Sequence, residues 1–253
     1  MTSAASPDLM LGAEPWTSDG GSTGVLVVHG FTGNPSSMRP LAEAFAAAGF
    51  SVSLPLLPGH GTRVEDMVPT RWSDWSSAAD AAYAELAGRC EKVVVAGLSM
   101  GGTLTLWLAA SHPEICGIVL VNPLADGEEP GIVGLVAALR ESGEPLVPGI
   151  GSDIALEGAV ESAYELTPVE PLLSLYGALE DLRGRLADIA CPVLLLTSPQ
   201  DHAVAPASSD LVASSVKGPV ERVTLEKSFH VATLDHDAEL IEQRAVAFVA
   251  RIS

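Results

Sequence analysis

Apolar residues follow two alternating rhythms along this chain of 253 residues. Short runs rich in β-branched and aliphatic residues occur at Gly24–Val28, Phe50–Leu54, Lys92–Ala96, Cys116–Val121, Pro192–Thr197 and Val220–Leu225, and each predicts a buried strand. Between them the apolar positions take helical spacing. Met38, Leu41, Ala42 and Phe45 fall at i, i+3, i+4 and i+7 of a helix that Ser36 caps and Gly49 stops. An Ala-rich helix is expected from Trp72 to Arg89, and others over Thr103–Ala110 and Ala207–Val216. The last helix carries Ile241, Ala245, Phe248 and Ile252 on one face. Leu9–Trp16 is expected to add a short edge strand. Strands alternating with helices predict an α/β fold, a mostly parallel sheet covered on both faces.

The rhythm breaks between Asn122 and about Leu182. That stretch is rich in Pro and Gly, with apolar pieces at Ile132–Leu139 and Leu172–Leu179. It lies between two core strands and is too apolar for a linker. Residues 1–122 and 183–253 therefore read as the core, and 123–182 as a small, mostly helical cap.

Composition narrows the partners. The formal charge is −19, from 32 acids against 13 bases. Such a surface repels nucleic acid and anionic lipid headgroups. No apolar run reaches transmembrane length, and no signal peptide is visible, so a cytoplasmic protein is expected. Cys90, Cys116 and Cys191 are scattered, without metal-ligand spacing, and read as reduced, mostly buried thiols. No metal or other cofactor is expected.

The chemistry centres on Gly97-Leu98-Ser99-Met100-Gly101-Gly102, between a predicted strand and a predicted helix. A serine on so sharp a turn needs neighbours without side chains, and the following helix points free N–H groups at the same spot. Its hydroxyl needs a base, and the base needs an acid to hold its tautomer. Of six histidines, His29 and His60 lie beside glycines and read as turn-shaping. His112 ends a helix, His202 neighbours the candidate acid, and His236 falls in the first turn of the last helix. His230, between the last strand and the last helix, is the expected base. Asp201 follows the strand ending at Thr197, which gives the chain order Ser, Asp, His. Asp126, in an acidic loop after the strand ending at Val121, is the rival acid. The backbone N–H groups of Met100 and Phe31 are the expected oxyanion donors.

Taken together, His29-Gly30-Phe31-Thr32-Gly33, Pro58-Gly59-His60-Gly61-Thr62, the Ser99 elbow and Ser228-Phe229-His230-Val231-Ala232-Thr233-Leu234-Asp235 resemble the bacterial monoacylglycerol lipases and related thermostable carboxylesterases. The resemblance spans nearly the whole chain and is weakest across the cap. It implies an α/β-hydrolase fold with a small helical cap inserted after the sixth strand. It also implies a serine esterase that cleaves uncharged monoacylglycerols or simple esters, as a monomer or homodimer, with transient contact of the cap with lipid surfaces. A cap acid in that family touches the glycerol hydroxyls, and Glu161 is the matching residue, with Glu157 and Glu165 as helical neighbours. Ile150 joins it as a substrate-binding candidate. Ile132, Val133, Leu135, Val136, Leu139, Leu172 and Leu175 either line an acyl tunnel or form the cap's own core. Three other readings stay open: a carboxylesterase for short esters, a C–C bond hydrolase, and a small-molecule binding protein on the same fold.

Overall fold

The computed structural model describes residues 8–128 and 130–253, without the side chains of Pro130 and Ile132. In chain order the strands are β1 (Trp16–Ser18), β2 (Thr23–Val28), β3 (Ser51–Leu54), β4 (Lys92–Leu98), β5 (Gly117–Val121), β6 (Leu146–Pro148), β7 (Leu166–Pro168), β8 (Val193–Thr197) and β9 (Val220–Thr224). The helices are α1 (Arg39–Ala47), α2 (Val64–Met67), α3 (Trp72–Ala87), α4 (Met100–Ser111), α5 (Pro130–Ser142), α6 (Val169–Arg185), α7 (Ala207–Ser215) and α8 (Ala238–Ile252).

Seven strands form the main sheet in the order β1-β3-β2-β4-β5-β8-β9. β1 runs antiparallel to β3, and every other pair is parallel. Successive side chains leave a strand on opposite faces. Leu26, Val95, Leu120 and Leu195 pack on one face with α3, α4 and α7. Val25, Val94, Val119 and Leu194 pack on the other with α1 and α8. Each such aliphatic side chain removed from water contributes about 1.5–3 kcal/mol before the entropy of ordering it. α4 is buried on nearly all sides, which its all-round apolar sequence requires.

Several boundaries differ from the sequence reading. The edge strand is Trp16–Ser18, because pairing with β3 and not local pattern defines it. Asn34, not Ser36, caps the start of the first helical segment. Its Oδ1 accepts the Ser36 N–H (3.0 Å) above a 3-10 turn, and α1 begins only at Arg39. His236 precedes α8, which begins at Ala238 after Asp237. The three cysteines are half-buried.

Among the described residues the insertion follows the fifth strand, not the sixth that the resemblance implies: one antiparallel edge strand, β1, precedes the four parallel strands β2 to β5. It is less helical than expected. α5 and α6 flank a two-stranded antiparallel pair, β6 with β7, joined by the irregular segment 149–165. Leu182 lies inside α6, so the chain returns to the core only after Arg185.

Candidate active site

The carboxyl ends of the parallel strands supply the site, as expected for such a sheet. Among the described residues, the three non-glycine residues with positive φ all sit there: Thr32 (59°), Ser99 (56°) and Asn122 (44°). Backbone held in this region is costly, and surrounding contacts must enforce it. At Ser99 the enforcement is visible. Its N–H donates to Val121 O (3.1 Å), and its carbonyl accepts from Thr103 N (3.1 Å) and Leu124 N (3.3 Å). A Cβ on Gly97 would collide with the Gly101 carbonyl, and one on Gly101 with the carbonyl of Val28. The sharp turn between β4 and α4 therefore exists only with glycine at both positions.

His230 reaches the same place on the loop after β9. Its Nδ1 lies 2.7 Å from Asp201 Oδ2, and the Asp201 side chain is only 2% exposed. The other Asp201 oxygen accepts the N–H groups of Ala203 (2.8 Å) and Val204 (2.7 Å), which fixes the carboxylate plane. Burial pulls the His230 pKa down. The hydrogen bond and charge of Asp201, with the charges of Glu161 and Asp153, outweigh it and leave the pKa raised. Asp126 is elsewhere: it pairs with Arg183 (3.1 Å) and accepts the Glu128 N–H.

Of the two expected oxyanion donors, one belongs to the residue after Ser99 and the other, Phe31, lines the same cavity as Ser99. Met100 is the first residue of α4, where backbone N–H groups lack intrahelical partners. Phe31 follows β2, and its direction is set one residue earlier. His29 Nδ1 bonds the Gly30 carbonyl (3.0 Å), and its Nε2 accepts the Leu57 N–H (3.1 Å). The Gly30 carbonyl and the Phe31 N–H belong to one planar trans peptide and point opposite ways, so holding the first aims the second. One donor and one acceptor require neutral imidazole, and burial lowers the His29 pKa to about 4. His60, its ring centroid 5.0 Å away, is pushed by burial, and then by His29, to about 3. Both histidines shape turns, as read from the glycines beside them.

A cavity of about 220 Å³ opens above Ser99 and contains Phe31, His230 and Glu161 in its wall. Of the apolar insertion residues, Leu135, Leu139, Ile150, Leu172 and Leu175 line it, whereas Val133 and Val136 do not. Ile150 is 70% exposed, so it stands at the mouth. Glu161 lies on the irregular segment, not on a helix, so Glu157 and Glu165 are not its helical neighbours. A Cβ on Gly33 would meet Glu161 Oε1 at 2.7 Å, which places the carboxylate against the loop carrying Phe31. Burial raises the Glu161 pKa to about 7, against the opposing charge of His230 and a hydrogen bond from Ser37.

Sequence reasoning missed three polar side chains. Buried Asn122 donates to His230 O (2.8 Å) and Ser198 Oγ (3.0 Å), and accepts the Ser198 N–H (2.8 Å). Asp153 accepts the N–H groups of His202 (3.0 Å) and His230 (3.1 Å). Asp235 accepts four backbone N–H groups, from Ala155, Leu156, Phe229 and His236. Only Asp235 had a local signal, its place in the motif around His230.

Residues 25–243 match the alpha/beta hydrolase family. The chain is 44% identical over 246 residues to a thermostable monoacylglycerol lipase of Bacillus sp. (strain H-257), covering 96% of each. It is 29% identical to a carboxylesterase of Bacillus subtilis (strain 168), over 94% of this chain and 97% of that one. A solved structure from work on metagenome-derived lipolytic enzymes superposes with a TM-score of 0.91 at 42% identity, over 96% of this chain and 100% of that one. The order of strands, the glycine-flanked serine turn and these matches agree: the chain belongs to the alpha/beta hydrolase family.

Proposed function

We propose that this chain is a serine hydrolase of carboxylic esters that works through an acyl-enzyme, with monoacylglycerols as its substrates. The observation that carries the reading is the 2.7 Å contact of buried Asp201 with His230, whose side chain lines one cavity with Ser99. Asp201 keeps the proton on Nδ1 and leaves the Nε2 lone pair free for the serine hydroxyl. Ser99 Oγ attacks the ester carbonyl and passes its proton to His230. The developing oxyanion takes hydrogen bonds from the Phe31 and Met100 N–H groups. His230 then returns the proton to the leaving glycerol oxygen as the C–O bond breaks. Water, deprotonated by His230, attacks the acyl carbonyl; the bond to Ser99 Oγ breaks, His230 returns the proton to that oxygen, and the fatty acid leaves.

The substrate class rests on the cavity walls. Its aliphatic side suits an acyl chain, and Glu161 on the polar side suits two free hydroxyls, because a carboxylate accepts from both. The same reading holds the enzyme in the cytoplasm, on the ground that its three thiols are unpaired. No helix among the described residues is long and apolar enough to cross a membrane. The test is an ester panel in which 1-monoacylglycerols give higher kcat/KM than methyl or p-nitrophenyl esters of the same chain length. Glu161→Ala lowers kcat/KM for monoacylglycerols by about 1.5–3 kcal/mol and leaves p-nitrophenyl esters nearly unaffected. An equal fall on both assigns Glu161 to the fold, and no fall on either favours a carboxylesterase without glycerol preference.

Glu161 also predicts a stability effect. With a folded pKa of about 7 against 4.5 unfolded, the folded state binds the proton more tightly. Stability therefore falls as pH rises from 4.5 to 7 and stays low above. Glu161→Gln removes that cost, so the variant melts above wild type at pH 8 and with it at pH 4. Equal melting temperatures at pH 8 count against a buried charge.

A further inference from the structure

We propose that Asp153, on the segment between β6 and β7, is a positioning residue that sets the separation of the acid and the base of the triad. The inference rests on the triad reading above. Asp201 and His230 sit on two different loops, after β8 and after β9. One oxygen joins those loops: Asp153 Oδ2 accepts the N–H of His202, the residue after the acid (3.0 Å), and the N–H of His230, the base itself (3.1 Å). The other oxygen lies 2.8 Å from His202 Nδ1, and the Asp153 carbonyl accepts the Val231 N–H (3.0 Å). The Asp153 side chain is only 11% exposed, so water competes poorly for these bonds.

The link is reciprocated. Asp235, from the histidine loop, accepts the N–H groups of Ala155 (2.7 Å) and Leu156 (2.9 Å) on the inserted segment. Two carboxylates thus exchange hydrogen bonds in opposite directions between residues 153–156 and the loop of the base. The far end of the segment is held as well. Asn34 Nδ2 donates to Ser162 O (2.6 Å), and the Tyr164 hydroxyl donates to Gly59 O (2.8 Å). This part of the insertion is a fixed wall of the site. The charged groups facing His230 are Asp201, Glu161 and Asp153, with His202 facing Asp153 from the acid loop. Asp153 therefore adds a negative charge beside the base besides holding its backbone.

The test uses a p-nitrophenyl ester, which has no glycerol to bind. Asp153→Ala lowers kcat by about 10- to 100-fold, the cost of a small misplacement of reacting groups, with KM little changed. The rate at which a fluorophosphonate labels Ser99 falls in parallel. Asp153→Asn keeps an oxygen for the bridge and recovers most of kcat. In both variants the acid limb of kcat/KM moves to lower pH, because loss of the negative charge lowers the His230 pKa. Wild-type kcat in Asp153→Ala overturns the proposal, as does a fall in kcat with unchanged labelling. Should the alanine variant not fold, an unshifted acid limb in the isosteric asparagine variant overturns it. Ser99→Ala is assayed beside them. Activity in that variant removes the triad reading itself, whereas an inactive Ser99→Ala with a normal Asp153→Ala removes only this inference.

Discussion

Ser99→Ala abolishes ester hydrolysis and leaves the protein folded. The elbow is held by backbone bonds to Val121, Thr103 and Leu124 and by the absence of side chains at Gly97 and Gly101, and none of these uses the hydroxyl. Alanine keeps the same Cβ, so the strained turn survives. What disappears is the atom that forms the acyl-enzyme. The expected fall in kcat is on the order of 10⁶-fold, as for loss of the nucleophile in other triads. Assays of purified variant and wild type on one p-nitrophenyl ester, with thermal melts of both, check this. Activity well above a trace in a normally melting variant moves the nucleophile to another residue.

Asp201→Asn costs about 10⁴-fold in kcat. The structure gives the reason for this site. One Asp201 oxygen is committed to the N–H groups of Ala203 and Val204, which are both donors. Asparagine must leave its carbonyl oxygen there, so its NH₂ faces His230 Nδ1. The imidazole then has to accept at Nδ1 and carry its proton on Nε2, the nitrogen that must take the serine proton. Asp126→Asn serves as the comparison. It weakens a surface pair with Arg183, the type worth about 0–1 kcal/mol, and touches nothing bonded to His230. Parallel kinetics on the two variants decide the matter, and the reverse ranking moves the acid to the loop after β5.

The sequence by itself determined the architecture and pointed to the three residues of the proposed triad. Those features leave local marks. A strand buried on both faces needs consecutive apolar residues, as in Val25–Val28, and an amphipathic helix needs the 3.6-residue spacing seen from Met38 to Phe45. The serine turn needs glycines two positions away on either side, since any Cβ there strikes a carbonyl. Once strands and helices alternate, functional groups gather at strand ends, and chain order alone separates Asp201 from most other acids.

Tertiary structure decided the rest. β1, β6 and β7 are three residues long, too short for any period, and pairing alone defines them. The sequence places Glu161 on a helix with Glu157 and Glu165, but its segment is irregular and is fastened through long-range polar bonds at Ser162, Tyr164 and Asp153. Asp153 meets His230 across 77 residues of sequence, and Asn122 meets it across 108. Nothing around either residue signals the contact. Buried N–H and C=O groups must find partners, and which side chain answers a given one depends on where folding brings distant segments together. The same holds for charge: the raised pKa of Glu161 follows from burial against the Phe31 loop, and burial belongs to the assembled molecule.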